Sequence, residues 1–267
     1  MIFREFFPRR PPADCMTERE RMLERDLKGR GIRDQRILKA MAAVPRELFV
    51  PPELRAEAYA DRALPIGRGQ TISQPYIVAL MVEALTLRGR ETILEVGLGS
   101  GYASAVLAHL ASWVVGIERL PELAELARSR FATLGLGHCE VVVGDGFAGW
   151  PAEAPYDAIL VSAAVEGVPG PLVQQLAAGG RLVIPLGPED GTQILTVFTR
   201  RGLELTPRTL CPCRFVPLVP GPPGEDRGRS DRPPGRSDRP PGLADGPPGR
   251  RSDGPPGRSD VPPGRFP

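Results

Sequence analysis

Thr92-Ile93-Leu94-Glu95-Val96-Gly97-Leu98-Gly99-Ser100-Gly101-Tyr102 is the stretch from which the fold can be read. An apolar run (Ile93, Leu94, Val96) stops at three alternating glycines, and residues 103–111 then carry a helical pattern. Strand, glycine turn and helix in that order bring backbone N–H groups and a helix N-terminus close to a ligand. Glycine suits the turn because a Cβ would block the approach and a positive φ is costly for other residues.

The spacing narrows the choice of ligand. A dinucleotide fingerprint, G-x-G-x-x-G, would put its third glycine at position 102, but it stands one residue early, at Gly101. The next apolar run, 113–117, ends on Glu118, where a carboxylate can accept both hydroxyls of a ribose. The pattern E-x-G-x-G-x-G with that second acid, and with Gly144-Asp145-Gly146 further on, resembles the class I S-adenosylmethionine-dependent methyltransferases.

The rest of the chain alternates as a doubly wound α/β domain does. Strands are expected at 113–118, 140–144, 158–162 and 181–186, and helices at 121–134 and 171–178, with Gly179-Gly180 punctuating the last turn. Final strands at 194–199 and 214–218 are expected to form a hairpin about Arg201-Gly202. Parallel strands bind ligands at their carboxyl ends, where Gly97, Glu118, Asp145 and Ser162 all fall.

Ahead of this core, 16–43 fits two helices broken near Gly29-Arg30-Gly31 and stopped by Pro45, an N-terminal helical cap. An extended piece at 46–51 leads to a short helix at 53–59. Residues 64–76 read as a polar loop, with Ser73 as a candidate cap of a helix entered through Pro75 and running over 77–87. The expected domains are an irregular extension over 1–15, a methyltransferase domain over 16–220 and a tail over 221–267. The organised pattern starts at Met16, which leaves translation from Met16 as an alternative to Met1.

The tail is of another kind. Pro-Pro-Gly recurs six times and Arg-Ser-Asp four times, and Leu243, Val261 and Phe266 are its only large apolar side chains. Glycine does not recur at every third residue, so this is not collagen; disorder with polyproline II character is expected. Nine Arg against seven Asp and Glu in the tail account for the whole formal net charge of +2, leaving the preceding part neutral. That neutrality disfavours nucleic acid as a partner. No apolar run approaches the roughly 18 residues of a membrane span, and none is flanked like a signal peptide, so a cytoplasmic, monomeric protein without membrane attachment is the expectation. Four cysteines (Cys15, Cys139, Cys211, Cys213) are too few for a disulfide framework, and with His109 and His138 as the only histidines no metal site is expected.

With both the Ser73 loop and the glycine turn read, the chain resembles the protein-L-isoaspartate O-methyltransferases from about residue 17 to 219. The stretches that carry the likeness include Val44-Pro45-Arg46, Phe49-Val50-Pro51, Gly69-Gln70-Thr71-Ile72-Ser73-Gln74-Pro75, Gly99-Ser100-Gly101-Tyr102, Gly179-Gly180-Arg181-Leu182 and Arg214-Phe215-Val216-Pro217-Leu218. The Gly-Gln-Thr-Ile-Ser-Gln-Pro stretch is specific to this family; the glycine turn is shared with many methyltransferases. Leu98 stands where Thr or Ser is more usual, Ser162 where Thr is common and Val165 where Pro is frequent. The tail has no counterpart.

The resemblance implies methyl transfer from S-adenosylmethionine to the α-carboxylate of L-isoaspartyl residues in damaged polypeptides, a repair reaction that proceeds through succinimide. It implies Ser73 as the catalytic residue, with Thr71, Ile72, Gln74 and Val216 beside it on the substrate side. Gly97, Gly99, Gly101, Glu118, Asp145 and Gly146 are implied on the cofactor side. Glu95 has three readings: orienting the turn, reaching the methionine ammonium, or capping the loop's own N–H groups. A methyltransferase of the same fold with another acceptor, or a non-catalytic protein that binds the cofactor, are the alternatives. A substrate carboxylate with a pKa of about 4 is already ionised at neutral pH, so no general base is required. Ser73 lies outside any G-x-S-x-G context, which points to a hydrogen-bond donor rather than a nucleophile.

Overall fold

The computed structural model describes residues 13–202 and 204–221, all within one compact unit. The expectations for 1–12 and for the Pro-Gly tail beyond 221 lie outside these residues. The N-terminal part opens with α1 (Ala13–Arg21), which contains Met16. It continues as a π-turn over Met22–Leu27 and a 3-10 turn over Lys28–Arg30. Gly31 ends the run at φ +99°, a conformation a side chain would resist. Asp34 then caps α2 (Gln35–Ala43) by accepting from the Arg36 N–H at 2.9 Å. The segment expected to be extended, 46–51, begins with a 3-10 turn at Arg46–Leu48, and a second covers Pro52–Glu57.

The loop before the core is in fact a hairpin. Leu64 and Ile66 of β1 (Leu64–Gly67) are buried, and β1 pairs antiparallel with β2 (Gln70–Ile72). The two residues between them, Arg68 and Gly69, are both left-handed (φ 53° and 66°), as a tight two-residue hairpin turn demands. One proline (Pro65) and two glycines (Gly67 and Gly69) conceal so short a strand pair from pattern reading. The helix that follows is α3 (Pro75–Ala84); its N-cap is Gln74, not Ser73, and no side chain caps it.

The core sheet has seven strands: β3 (Thr92–Val96), β4 (Trp113–Glu118), β5 (Cys139–Val143), β6 (Tyr156–Val161), β7 (Leu176–Leu186), β8 (Gln193–Arg201) and β9 (Glu204–Cys213). Their spatial order is β5-β4-β3-β6-β7-β8-β9, with the first five parallel and the last two antiparallel. Helices α4 (Tyr102–Ala108), α5 (Pro121–Leu134) and α6 (Gly170–Gln175) make the crossovers. Because both faces are covered, β3, β4 and β6 are almost continuously apolar, and alternate residues serve opposite cores. Ile93, Val114 and Leu160 join the core that holds the N-terminal helices, whereas Leu94, Val115 and Ile159 join the one that holds Leu172 and Leu176.

Two expectations are corrected. Residues 176–180 belong to β7 rather than to a helix reaching 178, and Gly179 (φ +76°) lies where the register against β6 jumps from Tyr156↔Leu176 to Ala158↔Arg181. The hairpin about Arg201-Gly202 is formed with β9, not with 214–218. β9 escaped notice because Pro207 and Pro212 lie in it, and it is an edge strand, where proline is tolerated. Residues 214–218 instead leave the sheet and run beside Ala164, whose N–H donates to the Val216 carbonyl while its carbonyl accepts from the Leu218 N–H, both at 2.8 Å.

Candidate active site

The chain order reverses between β3 and β6, and the crevice above their carboxyl ends is where an open α/β sheet holds its ligand. Gly97 follows β3 and Ser162 follows β6, and a Cβ on Gly97 would lie 3.6–3.8 Å from Ala163 Cβ and the Ser162 carbonyl group. The turn is braced by its own backbone: the N–H groups of Gly97 and Leu98 both donate to the Ile117 carbonyl at 3.0 and 3.1 Å. Gly97, Gly99 and Gly101 all have left-handed φ, at 79°, 54° and 88°. Leu98, the unusual residue between the first two, is buried over Gly116; a Cβ there would come within 2.5 Å of it. The larger side chain in the turn is thus matched by the absence of one in β4.

Two adjoining cavities open from this turn, and both are lined by Thr71, Gly97, Gly99 and Ser162. The first adds Glu118, Gly146, Val216 and Leu218. The second adds Ile72, Ser73, Glu95 and Tyr102. Glu118 is buried, with one oxygen accepting from the Gly99 N–H (2.7 Å) and the other from the Leu120 N–H (2.9 Å). Burial pushes its carboxyl up from the ordinary range, against the pull of those backbone donors. Each oxygen can accept more than one hydrogen bond, so capacity for a ligand's hydroxyls remains.

Glu95 is wholly buried between two hydroxyls, Ser104 Oγ at 2.5 Å and Ser162 Oγ at 2.8 Å. Burial raises it to about 7, with the two serines pulling the other way. It engages Ser104 through both hydroxyl and backbone N–H, and so ties α4 to the end of β6 at the cavity wall. Ser104 carried no signal in the sequence, since a serine on an apolar helix face has no distinguishing neighbours.

Ser73 lies half-buried on the wall of the second cavity. Its carbonyl accepts from Arg46 Nη2 at 2.8 Å, and no described group engages its hydroxyl. Thr71 and Ile72 line the same space. Gln74 does not; its amide donates to the carbonyl and the carboxylate of Asp61 at 3.0 and 2.8 Å. Gly101 also stands apart from both cavities. A Cβ there would meet Phe131 at 3.0 Å and Ala127 at 3.1 Å, so it serves the packing of α5 against the start of α4. Asp145 accepts from Phe147 N–H at 2.9 Å and Gly221 N–H at 3.1 Å, one bond on each oxygen, while its neighbour Gly146 lies against Val96 and Leu218 on the first cavity. Val216 is held in place through Gln193, whose buried amide accepts from the Phe215 N–H at 2.9 Å and donates to the Pro188 and Gly191 carbonyls. Neither histidine lines the site; His138 bonds the Ala108 carbonyl at 2.8 Å.

The residues fit a nucleoside with an amino-acid arm: a buried carboxylate with spare acceptor capacity, two glycines at which an added Cβ would meet no protein atom closer than 3.5 Å, and an apolar wall at Leu218. The sequence profile of the protein-L-isoaspartate(D-aspartate) O-methyltransferases matches residues 17–222. The chain belongs to that family. It is 60% identical over 204 residues to the protein-L-isoaspartate O-methyltransferase of Methylorubrum populi, covering 76% of this chain and 95% of that one. With the protein-L-isoaspartate O-methyltransferase 2 of an Anaeromyxobacter species it shares 56% over 205 residues, 77% of this chain and 84% of the relative. Among solved structures, one protein-L-isoaspartate O-methyltransferase superposes with a TM-score of 0.68 at 31% identity, covering 77% of this chain and 67% of that one. A Plasmodium falciparum homologue in complex with S-adenosyl-L-homocysteine gives 0.66 at 27%, covering 76% and 98%. As a member of the family, this protein is an S-adenosylmethionine-dependent protein-repair methyltransferase.

Proposed function

We propose that Ser73 orients the α-carboxylate of an L-isoaspartyl residue for methylation, over a cofactor seated on Gly97, Gly99 and Glu118. What supports this reading above all is the shared wall of the two cavities: Thr71, Gly97, Gly99 and Ser162 belong to both, so an acceptor beside Ser73 and a nucleoside beside Glu118 would meet over one turn. S-adenosylmethionine, when bound, supplies an electrophilic methyl group. Glu118 would accept from the ribose hydroxyls, and Gly146, on the wall of the same cavity, would flank the base. The Ser73 hydroxyl, uncommitted to any described group, would donate to one carboxylate oxygen and leave the other free to react. Holding reacting atoms within about 3–3.5 Å is where proximity lowers a barrier most. Thr71, Ile72 and the Val216 backbone would flank the isoaspartyl chain. Gln74, turned to Asp61, acts here as a brace rather than a contact.

The partner is a damaged polypeptide. The neutral charge of the domain gives no footprint for nucleic acid, and no described helix is long and apolar enough to cross a membrane. Only Leu126 and Ile194 are large exposed apolar side chains among the described residues, which fits a monomer. Scarce cysteines fit the cytoplasm. The test is formation of base-labile methyl ester on an isoaspartyl peptide and on its aspartyl twin. Incorporation into the first alone is expected; equal incorporation in both would refute the assignment. Ser73→Ala should lower turnover about 100-fold, the scale of losing one aligned donor, with affinity for S-adenosyl-L-homocysteine within about twofold.

A further inference from the structure

Arg46 is the largest side chain buried without any exposure, and it has no carboxylate partner within ion-pair distance among the described residues. The adjacent Glu47 is taken by Arg19 and Tyr59. A buried guanidinium without a counter-ion is costly, and a neutral side chain could fill the space. Its donors show what it does instead. Nε gives to the Ala58 carbonyl at 2.7 Å and Nη2 to the Ser73 carbonyl at 2.8 Å, while Nη1 is buried with no hydrogen-bond partner. The guanidinium lies over the Tyr102 ring, 4.8 Å from its centroid, and Tyr102 and Ser73 line the same cavity. Arg46 therefore stands directly behind the wall that carries the Ser73 hydroxyl.

The other side of Ser73 is held as well. Asp61 takes the Gln74 amide and the Arg30 guanidinium (2.7 Å), and Arg30 stacks 3.5 Å over Tyr76. The serine's backbone is bracketed between two fixed points while its own side chain is left uncommitted. That is how a reacting group is kept aligned without spending its hydrogen bond on the protein.

We propose that Arg46 is a positioning residue for the methyl transfer, acting through Ser73: it fixes the serine's backbone so that the hydroxyl stays turned into the acceptor cavity. The inference rests on the role given to Ser73 above, and a double-mutant cycle separates the two. Arg46→Met keeps the volume and removes both donors and charge; Arg46→Lys keeps the charge and one donor. Expected are a roughly 10-fold or larger loss of kcat on an isoaspartyl peptide in R46M, a smaller loss in R46K, and S-adenosyl-L-homocysteine affinity within about twofold in both. In the Ser73→Ala background R46M should cost less than about threefold more, because the group it aligns is gone. If S73A alone leaves turnover intact, the Ser73 reading falls and this one with it. If S73A lowers turnover but R46M is silent or fully additive, only the Arg46 inference falls. Loss of cooperative unfolding in both Arg46 variants would also overturn it, by showing a residue needed for folding alone.

Discussion

The two walls of the site are built differently. The turn at 97–101 is braced by its own backbone and by β4 beside it, through the paired bonds to Ile117 and the Glu118 carboxylate on Gly99. The wall at 71–74 is a hairpin edge held by side chains from distant parts of the chain, Arg46 and Asp61. The first is self-contained, so any chain with that strand and turn can form it, and many methyltransferases share it. The second depends on the N-terminal helical part being folded around it. On the roles proposed for these residues, cofactor binding is a property of the sheet, and choice of acceptor a property of what has been added to it.

If that division is right, damage to one wall should leave the other working. Glu118→Ala removes two charge-assisted acceptors from the turn and should weaken S-adenosyl-L-homocysteine binding about 100-fold or more by calorimetry. Ser73 and Arg46 variants should spare that affinity; a shared loss would erase the distinction. Next in size, Gly101→Ala puts a Cβ at φ +88° against Phe131 and Ala127, and should destabilise by about 2 kcal/mol in urea titration. Turnover of the folded fraction should change little, since Gly101 faces α5 and neither cavity. A loss confined to cofactor affinity would return it to the binding surface.

The smallest expected effect concerns Glu95, where the walls join. Its carboxyl is raised to about 7 when folded, above its unfolded value, so the native state holds the proton more tightly. Its contribution to stability is complete below the unfolded pKa of about 4.3 and is lost as pH rises through about 7. The melting temperature of the ligand-free protein should fall by a few degrees between about pH 5.5 and 8.5, and Glu95→Gln should flatten that slope. An equal slope in both would place the titration elsewhere.

Much of the cofactor wall was legible because its signals are local. Gly97, Gly99 and Glu118 sit at strand ends that period and spacing reveal, and β3, β4 and β6 are apolar runs of the right length. Gly101 shares the same motif, yet it answers to the packing of α5. A motif marks where a residue stands, not which neighbour it faces. The hairpin at 64–72 and the edge strand β9 were hidden because their prolines and glycines suit a strand only at an edge or a tight turn.

By itself, the sequence determined an α/β sheet of the methyltransferase kind, the glycine turn at the end of β3, and the family, since each rests on residues adjacent along the chain. Tertiary structure alone decided that 214–218 lies beside Ala164, that Gln74 turns to Asp61, and that Arg46 stands behind Ser73. Those contacts join residues 13 or more positions apart, and pattern carries no information about which distant side chain will fill the space behind a loop.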